Sequence, residues 1–382
     1  MLHPQIFDAF LVFRDPSAWV GRDFKYLKYI YLVALSAECG ERDRAFSLRM
    51  PVWLPAFASL FAILSINEKQ LSIYEEMDMS VALLERQAME CPSETLAPGC
   101  ILLDGEYAIT ELLSWGGFGI TYLATDARDR VVIIKECYPR SFCGRDGLTV
   151  VPNDEASAAI LDATLCVFLQ DARSIAKVQH RNIAAVERIF EENATAYVVL
   201  EFIDGYDLLE VIEQSHARPD PDEVRDLLRK TLAALGKVHE AGLLHRDIAP
   251  ENIIVTGANE PVLIDFGATL KTLARIAASP AELPNAKSAY TPLEFFVSGS
   301  KHDPAGDFYA LAATFYHLIT GELPADCRSR MSAHLGGKPD PYVPLSKLTD
   351  EFDTAFCNAL DCALSLLPKD RVRSAEEWRR IL

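Results

Sequence analysis

Basic residues are scarce in this sequence relative to acidic ones. The chain of 382 residues has 37 Lys and Arg against 55 Asp and Glu, which gives a formal net charge of −18 at pH 7. Nucleic acids and anionic membrane surfaces bind through clusters of positive charge. The charge balance therefore argues against both as the main partner, and no nucleic acid is expected to bind.

The cysteine patterns that mark zinc sites and disulfide frameworks are also missing. Nine cysteines are scattered along the chain without C-x-x-C pairs or histidines at zinc-ligand spacing, and no secretory signal precedes them. Thiols arranged in this way are typical of a reducing compartment. We therefore expect reduced cysteines and a cytoplasmic protein.

One apolar run, residues 51–66 (PVWLPAFASLFAILSI), raises the question of a membrane contact. Pro55 interrupts the run, and at about 1.5 Å per residue a helix of this length is shorter than the roughly 30 Å hydrocarbon core of a bilayer. A buried helix is the preferred interpretation. Docking on a membrane or on a partner protein is the alternative.

The pattern of residues changes at residues 91–100 (CPSETLAPGC), where prolines, a glycine and small polar residues mark a linker. Before it, apolar spacings of three and four in residues 1–90 predict packed helices without an assigned role. After it, short β-like runs surround one helix near residues 163–178. From residue 221 onward the pattern is chiefly helical.

A glycine-rich stretch lies between two of the β-like runs and contains Gly116, Gly117, Phe118 and Gly119. Glycine allows backbone N–H groups to approach a phosphate closely. The same composition also occurs in simple hairpin turns. On this stretch alone, a phosphate site and a turn remain open alternatives.

Lys135 ends the strongly apolar strand VVIIK, where an unpaired ammonium group would be costly to bury. A carboxylate partner is therefore expected. Asp171 lies on the apolar face of the following helix and is the natural partner. A surface lysine and a solvated Asp171 are the alternative.

Two polar stretches in the second half suggest a metal site. LHRDIAPEN, residues 244–252, contains Asp247 and Asn252, and VLIDFGAT places Asp265 at the end of an apolar strand before Gly267. Mg²⁺ prefers a few oxygen ligands shared with phosphate. Asn252 and Asp265 are therefore the candidate metal ligands, and a polar loop with a capped helix is the alternative interpretation of the first stretch.

These stretches, in this order and followed by YTPLEFF, resemble the motif set of protein kinases. Over about residues 96–382 the sequence is similar to the bacterial, eukaryotic-like Ser/Thr protein kinases that share a GGFGITY loop, with further likeness in KECYPR and HRDIAPEN. The resemblance implies an α+β, bilobal protein kinase fold for residues 101–382. The β-rich N-lobe would span 101–203 and the helical C-lobe 204–382, after an N-terminal helical extension.

The resemblance also implies a role for each motif residue in phosphoryl transfer from ATP. The implied catalytic residues are Asp247, which would accept the proton of the substrate hydroxyl, Lys135 and Asn252. Asn252 and Asp265 would hold Mg²⁺. The residues implied to bind ATP are Gly116, Gly117, Phe118, Gly119, Lys135, Asp171, Glu201, Ile203, Asp207 and Asp265.

Structural roles follow from the same resemblance. Glu294 would form a buried bidentate pair with Arg371, and Asp307 would brace the catalytic loop from the following helix. Arg246 would receive a phosphate on the segment between Asp265 and Glu294. Hydroxyl groups available for that phosphate are those of Thr269, Thr272, Ser279, Ser288 and Thr291.

Four residues depart from the family pattern: Ser114 replaces a glycine, Ile133 a small alanine, Asp171 a glutamate and Ala249 a lysine that touches the transferring phosphate. The function implied by the resemblance is an ATP- and Mg²⁺-dependent protein kinase acting on Ser and Thr, with autophosphorylation. A pseudokinase that serves as a nucleotide-binding scaffold is the main alternative. A phosphotransferase acting on small molecules is the third, and the oligomeric state is not predicted.

Overall fold

The computed structural model describes residues 94–214, 219–266, 289–297, 300 and 302–382. The helical region predicted for residues 1–90, with the apolar run 51–66, lies outside the described residues, so its boundary stays a prediction. Gly267, Thr269, Thr272, Ser279 and Ser288 also lie outside them. No helix in the described ranges has the length and apolar character needed to cross a bilayer.

A six-stranded antiparallel sheet forms the first lobe, and its strands over residues 119–126 and 131–137 follow the period-two alternation that buries one face. In spatial order they are β1 (Ile101–Leu102), β2 (Tyr107–Trp115), β3 (Gly119–Asp126), β4 (Val131–Cys137), β8 (Thr195–Glu201) and β7 (Val186–Glu192). Strand β7 was not predicted, because its sequence, VERIFEE, buries only Phe190. The predicted runs that became β2, β3, β4 and β8 are confirmed.

Between β4 and β7 the chain forms a hairpin and one long helix. The hairpin pairs β5 (Cys143–Asp146) with β6 (Thr149–Pro152), and helix α1 spans Glu155–Ile175. The predicted start of this helix near Ala163 was wrong. The helix begins earlier because the Asp154 side chain accepts a hydrogen bond from the Ser157 N–H at 2.7 Å and caps its first turn.

The second lobe is mainly helical, as predicted. Its helices are α2 (Leu208–Gln214), α3 (Pro221–Glu240), α4 (Pro304–Thr320), α5 (Cys327–Leu335), α6 (Thr354–Ala363) and α7 (Ala375–Ile381). A small sheet of β9 (Gly205–Asp207), β10 (Ile253–Thr256) and β11 (Pro261–Leu263) completes it.

Helix α4 lies at the centre of the second lobe and is apolar on nearly all sides. Its Phe308, Leu311 and Phe315 are fully buried, and Trp378 of α7 meets Phe308 edge to face with ring centroids 6.0 Å apart. A helix that is apolar all round belongs in a core. This buried helix supplies the carboxylate that organises the site described next.

Candidate functional site

The loop of residues 244–249 is held by one buried carboxylate. Asp307, in the first turn of α4, accepts hydrogen bonds from the backbone N–H groups of His245 at 2.9 Å and Arg246 at 2.7 Å. His239 lies 2.8 Å from the same carboxylate. Burial alone would raise the pKa of Asp307, but these hydrogen bonds outweigh it and the pKa is lowered. The predicted bracing role of Asp307 is therefore seen in the geometry.

His245 has a structural position rather than a chemical one. Its side chain is fully buried, Nε2 donates to the Ile264 carbonyl at 3.1 Å, and its ring lies 4.6 Å from that of Phe266. Burial lowers the pKa of His245 despite the carboxylates nearby, so the imidazole is neutral near pH 7. It joins the loop of residues 244–249 to the strand end that carries Asp265.

Asp247 and Asn252 are joined by hydrogen bonds. The Asn252 side-chain amide donates to the backbone carbonyl of Asp247 at 2.6 Å and to its carboxylate at 3.0 Å. The amide nitrogen is thereby occupied by Asp247. The amide oxygen of Asn252 is the atom that would serve a cation.

Lys135 forms its ion pair with Asp265, and the Nζ to Oδ1 distance is 2.7 Å. The prediction of a Lys135–Asp171 ion pair was wrong for this conformation. Among the ion pairs of the described residues, the one that contains Lys135 is the pair with Asp265. An aspartate reaches about one C–C bond less far than the glutamate it replaces. Asp171 nevertheless lines the same pocket as Lys135 and Asp265.

Arg246 and Asp265 both adopt a left-handed backbone conformation, with φ of 63° at each residue. For residues with a Cβ this conformation costs about 1–2 kcal/mol each. The hydrogen bond from the Arg246 N–H to Asp307 and the Asp265 pair with Lys135 hold the two residues in place. Strain of this kind clusters at functional sites.

A pocket of about 540 Å³, partly open to solvent, lies between the sheet and α1. Lys135, Asp171, Leu200 and Asp265 line it with Phe266. Leu200 is next to Glu201, the last residue of β8, so Glu201 and Ile203, both implied by the resemblance to bind ATP, follow directly along the chain.

Asp207, predicted to meet the ribose, ends β9 and accepts a hydrogen bond from the Glu210 N–H at 2.8 Å. One carboxylate oxygen therefore caps α2. Burial raises the pKa of this carboxyl, with backbone hydrogen bonds acting in the opposite direction. The nucleotide role of Asp207 stays a prediction.

The donor set fits a hard cation shared with phosphate. Among the described residues, no group of three or more His, Cys, Asp and Glu side chains is placed to hold a metal alone. Mg²⁺ keeps waters and uses one or two protein oxygens together with substrate phosphates. The Asn252 amide oxygen and the Asp265 carboxylate supply ligands of this type.

A second pocket, of about 370 Å³, opens beside Asp247. Ala249 lines it and is 4% exposed, and Arg246 is the one cation among the lining residues. A lysine in the place of Ala249 would add a second positively charged side chain to this lining. The pocket is otherwise mostly apolar, with Tyr290, Thr291 and Pro292 on its wall.

The predicted Glu294–Arg371 pair is present and bidentate. Arg371 Nη1 and Nη2 donate to the two Glu294 carboxylate oxygens at 2.8 and 3.2 Å, and both side chains are buried. Thr291, three residues earlier, is also buried. The expectation that Thr291 is available for phosphorylation is therefore wrong in this conformation.

The glycine-rich stretch forms a tight turn between β2 and β3, in which the Gly116 N–H donates to the Gly119 carbonyl at 2.9 Å. A Cβ on Gly119 would lie 2.9 Å from the Glu136 backbone oxygen, whereas a Cβ on Gly117 would meet nothing within 4 Å. Gly119 is therefore required for the approach of β3 to β4. Gly117 is left open toward the solvent side of the turn.

We expect Gly119→Ala to lower the free energy of unfolding by about 1–3 kcal/mol, because the added methyl group pushes against backbone that cannot move aside cheaply. Gly117→Ala is the matched control and should melt at nearly the wild-type temperature. Thermal unfolding followed by circular dichroism measures both. Equal melting temperatures for the two variants would contradict this steric account.

Sequence analysis missed a buried polar network beneath β4. Val132, Ile134 and Glu136 share the buried face of this strand. The Glu136 carboxylate accepts hydrogen bonds from Tyr122 and Tyr197, each at 2.9 Å, and from Arg145 at 2.7 Å. Period-two alternation could have flagged Glu136, because it places a carboxylate on the core face, where a partner is obligatory.

Comparisons with known proteins agree with this geometry. The family model described as "Protein kinase domain" matches residues 153–373. Serine/threonine-protein kinase F of Synechocystis is 28% identical over 326 residues, covering 82% of this chain and 61% of that protein. PknL of Mycobacterium tuberculosis is 28% identical over 276 residues, covering 72% of this chain and 64% of that protein. The chain thus spans less than two thirds of the length of these curated relatives.

Solved structures share the architecture. The structure titled "PpkA-294 apo form" superposes with a TM-score of 0.63 at 30% identity, covering 76% of this chain and all of that one. The kinase domain of Mycobacterium tuberculosis PknI superposes with a TM-score of 0.52 at 23% identity, and that likeness concerns the fold alone.

Proposed function

Because this chain belongs to the protein kinase family, we propose that it transfers the γ-phosphate of ATP to Ser and Thr hydroxyls of protein substrates in the presence of Mg²⁺. Residues 101–382 would form the kinase domain. The observation that carries the proposal is the position of Asp247, which is held by Asn252 within the loop that Asp307 braces, at the edge of an open pocket.

Each motif residue has a task in this reaction. Lys135 lies within the 540 Å³ pocket and would hold the α- and β-phosphates of ATP. Asn252 and Asp265 would hold Mg²⁺, which when bound neutralises charge on the phosphates. Asp247 would accept the proton of the substrate hydroxyl as the new P–O bond forms. The polar groups are positioned before substrate binds, which lowers the cost of orienting them during reaction.

The acceptor would reach Asp247 through the 370 Å³ pocket beside Ala249. Autophosphorylation on the segment between Asp265 and Glu294 belongs to the same proposal, with Arg246 as the receiving cation. A cytoplasmic location is also proposed. It is supported by the seven cysteines that the structure describes, all of which are free thiols.

Incubation with [γ-³²P]ATP, Mg²⁺ and a generic protein substrate tests the activity. We expect label on Ser and Thr of the substrate for the wild-type protein, and none for Lys135→Met, which should also lose ATP binding. ATP binding without label transfer by the wild type would favour the pseudokinase alternative. Transfer to an aminoglycoside or choline but not to protein would favour the phosphotransferase of small molecules.

A further inference from the structure

The tip of the glycine-rich turn is tied to the segment that follows β4. The Tyr138 N–H donates to the Phe118 carbonyl at 3.0 Å, and the Arg140 N–H donates to the Gly117 carbonyl at 3.1 Å. These bonds continue the ladder in which Gly119 faces Cys137. The turn is therefore attached to the sheet through its tip as well as through its two strands.

A side-chain contact reinforces this attachment. The guanidinium carbon of Arg140 lies 4.0 Å from the centroid of the Trp115 ring, and Trp115 is the last residue of β2, directly before Gly116. The planar guanidinium group is attracted to the face of an indole. Arg140 thus contacts the turn at its beginning through its side chain and at Gly117 through its backbone.

The segment that carries Arg140 is itself firmly anchored. Arg145 is 1% exposed and pairs with Glu136 at 2.7 Å, and its Nε donates to the Glu94 carbonyl at 2.8 Å. Glu136 is adjacent to Lys135 in β4. Glu94, the strand of Lys135 and the glycine-rich turn therefore meet at this segment.

We propose that Arg140 is a positioning residue for nucleotide binding, acting through Trp115 to hold the glycine-rich turn in place before the phosphates arrive. This inference rests on the proposed function, because it assumes that the turn covers the phosphates of ATP. A turn that is already ordered loses less conformational entropy when the nucleotide binds. Loss of the Arg140 contact should therefore weaken nucleotide affinity while the chemical step is retained.

Calorimetric titration with MgADP, together with KM for ATP and kcat, tests the inference on the full chain. We expect Arg140→Ala and Trp115→Ala each to raise the MgADP dissociation constant about two- to five-fold, the range that a partly exposed cation–π contact supports. The double variant should lose less affinity than the product of the single losses, because both substitutions remove the Arg140–Trp115 contact, although Arg140→Ala also removes the ion pair with Glu94. The change should appear in KM for ATP rather than in kcat.

Further variants show whether Arg140 acts by positioning the glycine-rich turn or by stabilising the fold. Trp115→Phe keeps an aromatic face and should restore part of the affinity. Arg128→Ala removes an exposed arginine from the turn between β3 and β4 and should leave the dissociation constant unchanged. Arg140→Ala should lower the melting temperature only slightly, because its side chain is 57% exposed and its ion pair with Glu94, at 3.5 Å, is a surface contact.

The inference would be overturned if Arg140→Ala bound MgADP with wild-type affinity. It would also be overturned if the substitution lowered the melting temperature without weakening the affinity. A wild-type protein that binds MgADP but transfers no phosphate would refute the proposed activity, and the Arg140 comparison would still decide the inference. Absence of nucleotide binding by the wild type would overturn both.

Discussion

Asp247→Asn is expected to lower the rate of phosphoryl transfer by about 10²- to 10⁴-fold, the range attributed to a positioned general base. The amide keeps an oxygen that can accept the hydrogen bond from Asn252, now at 3.0 Å, so the geometry of the loop should persist. What disappears is the group that accepts the proton of the substrate hydroxyl. The loss should therefore fall on kcat, with ATP affinity largely retained.

Single-turnover label transfer and calorimetric titration with MgADP measure the two quantities separately. Asp350→Asn is the matched control, because it removes an exposed carboxylate elsewhere in the second lobe. Its rate should equal that of the wild type. A wild-type rate in Asp247→Asn would show that Asp247 is not the base.

Arg371→Ala is expected to lower the free energy of unfolding by about 3–5 kcal/mol, because it leaves the buried Glu294 carboxylate without its partner. The cost is increased by other contacts of the guanidinium group. Arg371 also donates to the backbone carbonyls of Ser365 at 2.7 Å and Leu366 at 2.8 Å, and stacks 4.6 Å from the ring centroid of Tyr309. Most single substitutions cost far less.

Urea unfolding gives the free energies, and two further variants test the cause. Arg380→Ala removes a partner from the exposed Arg380–Glu376 pair of α7 and should cost at most about 1 kcal/mol. Glu294→Met combined with Arg371→Met removes both buried charges and should recover part of the lost stability, although the carbonyl groups stay unpaired. If Arg371→Ala lowered the free energy of unfolding as little as Arg380→Ala does, the structural role assigned to the buried Glu294–Arg371 pair would be contradicted.

The departures from the family pattern act on different parts of the site. Asp171 lines the same pocket as Lys135, whose observed ion pair is with Asp265 at 2.7 Å. Ala249 leaves Arg246 as the one cation among the residues lining the pocket beside Asp247. Ser114 lies within β2 opposite Thr121, and the strand ends at Trp115, whose ring lies beside Arg140.

The sequence alone determined most of the order of the elements, and it supplied the site residues as predictions. Apolar alternation predicted four strands of the large sheet, and periodicity of three and four predicted the helical second lobe, because these patterns depend on neighbours along the chain. Lys135, Asp247, Asn252 and Asp265 were predicted as site residues because the stretches that carry them stand in the order of the protein kinase motifs.

Only the tertiary structure decided which of these residues meet. His245 and Asp307 are 62 positions apart, and their hydrogen bond depends on how α4 packs against the loop of residues 244–249. The choice of Asp265 over Asp171 by Lys135, and the contact of Arg140 with Trp115, depend on where elements distant in sequence come to lie. Side-chain reach and burial decide such contacts, and both are properties of the packed chain rather than of any local pattern.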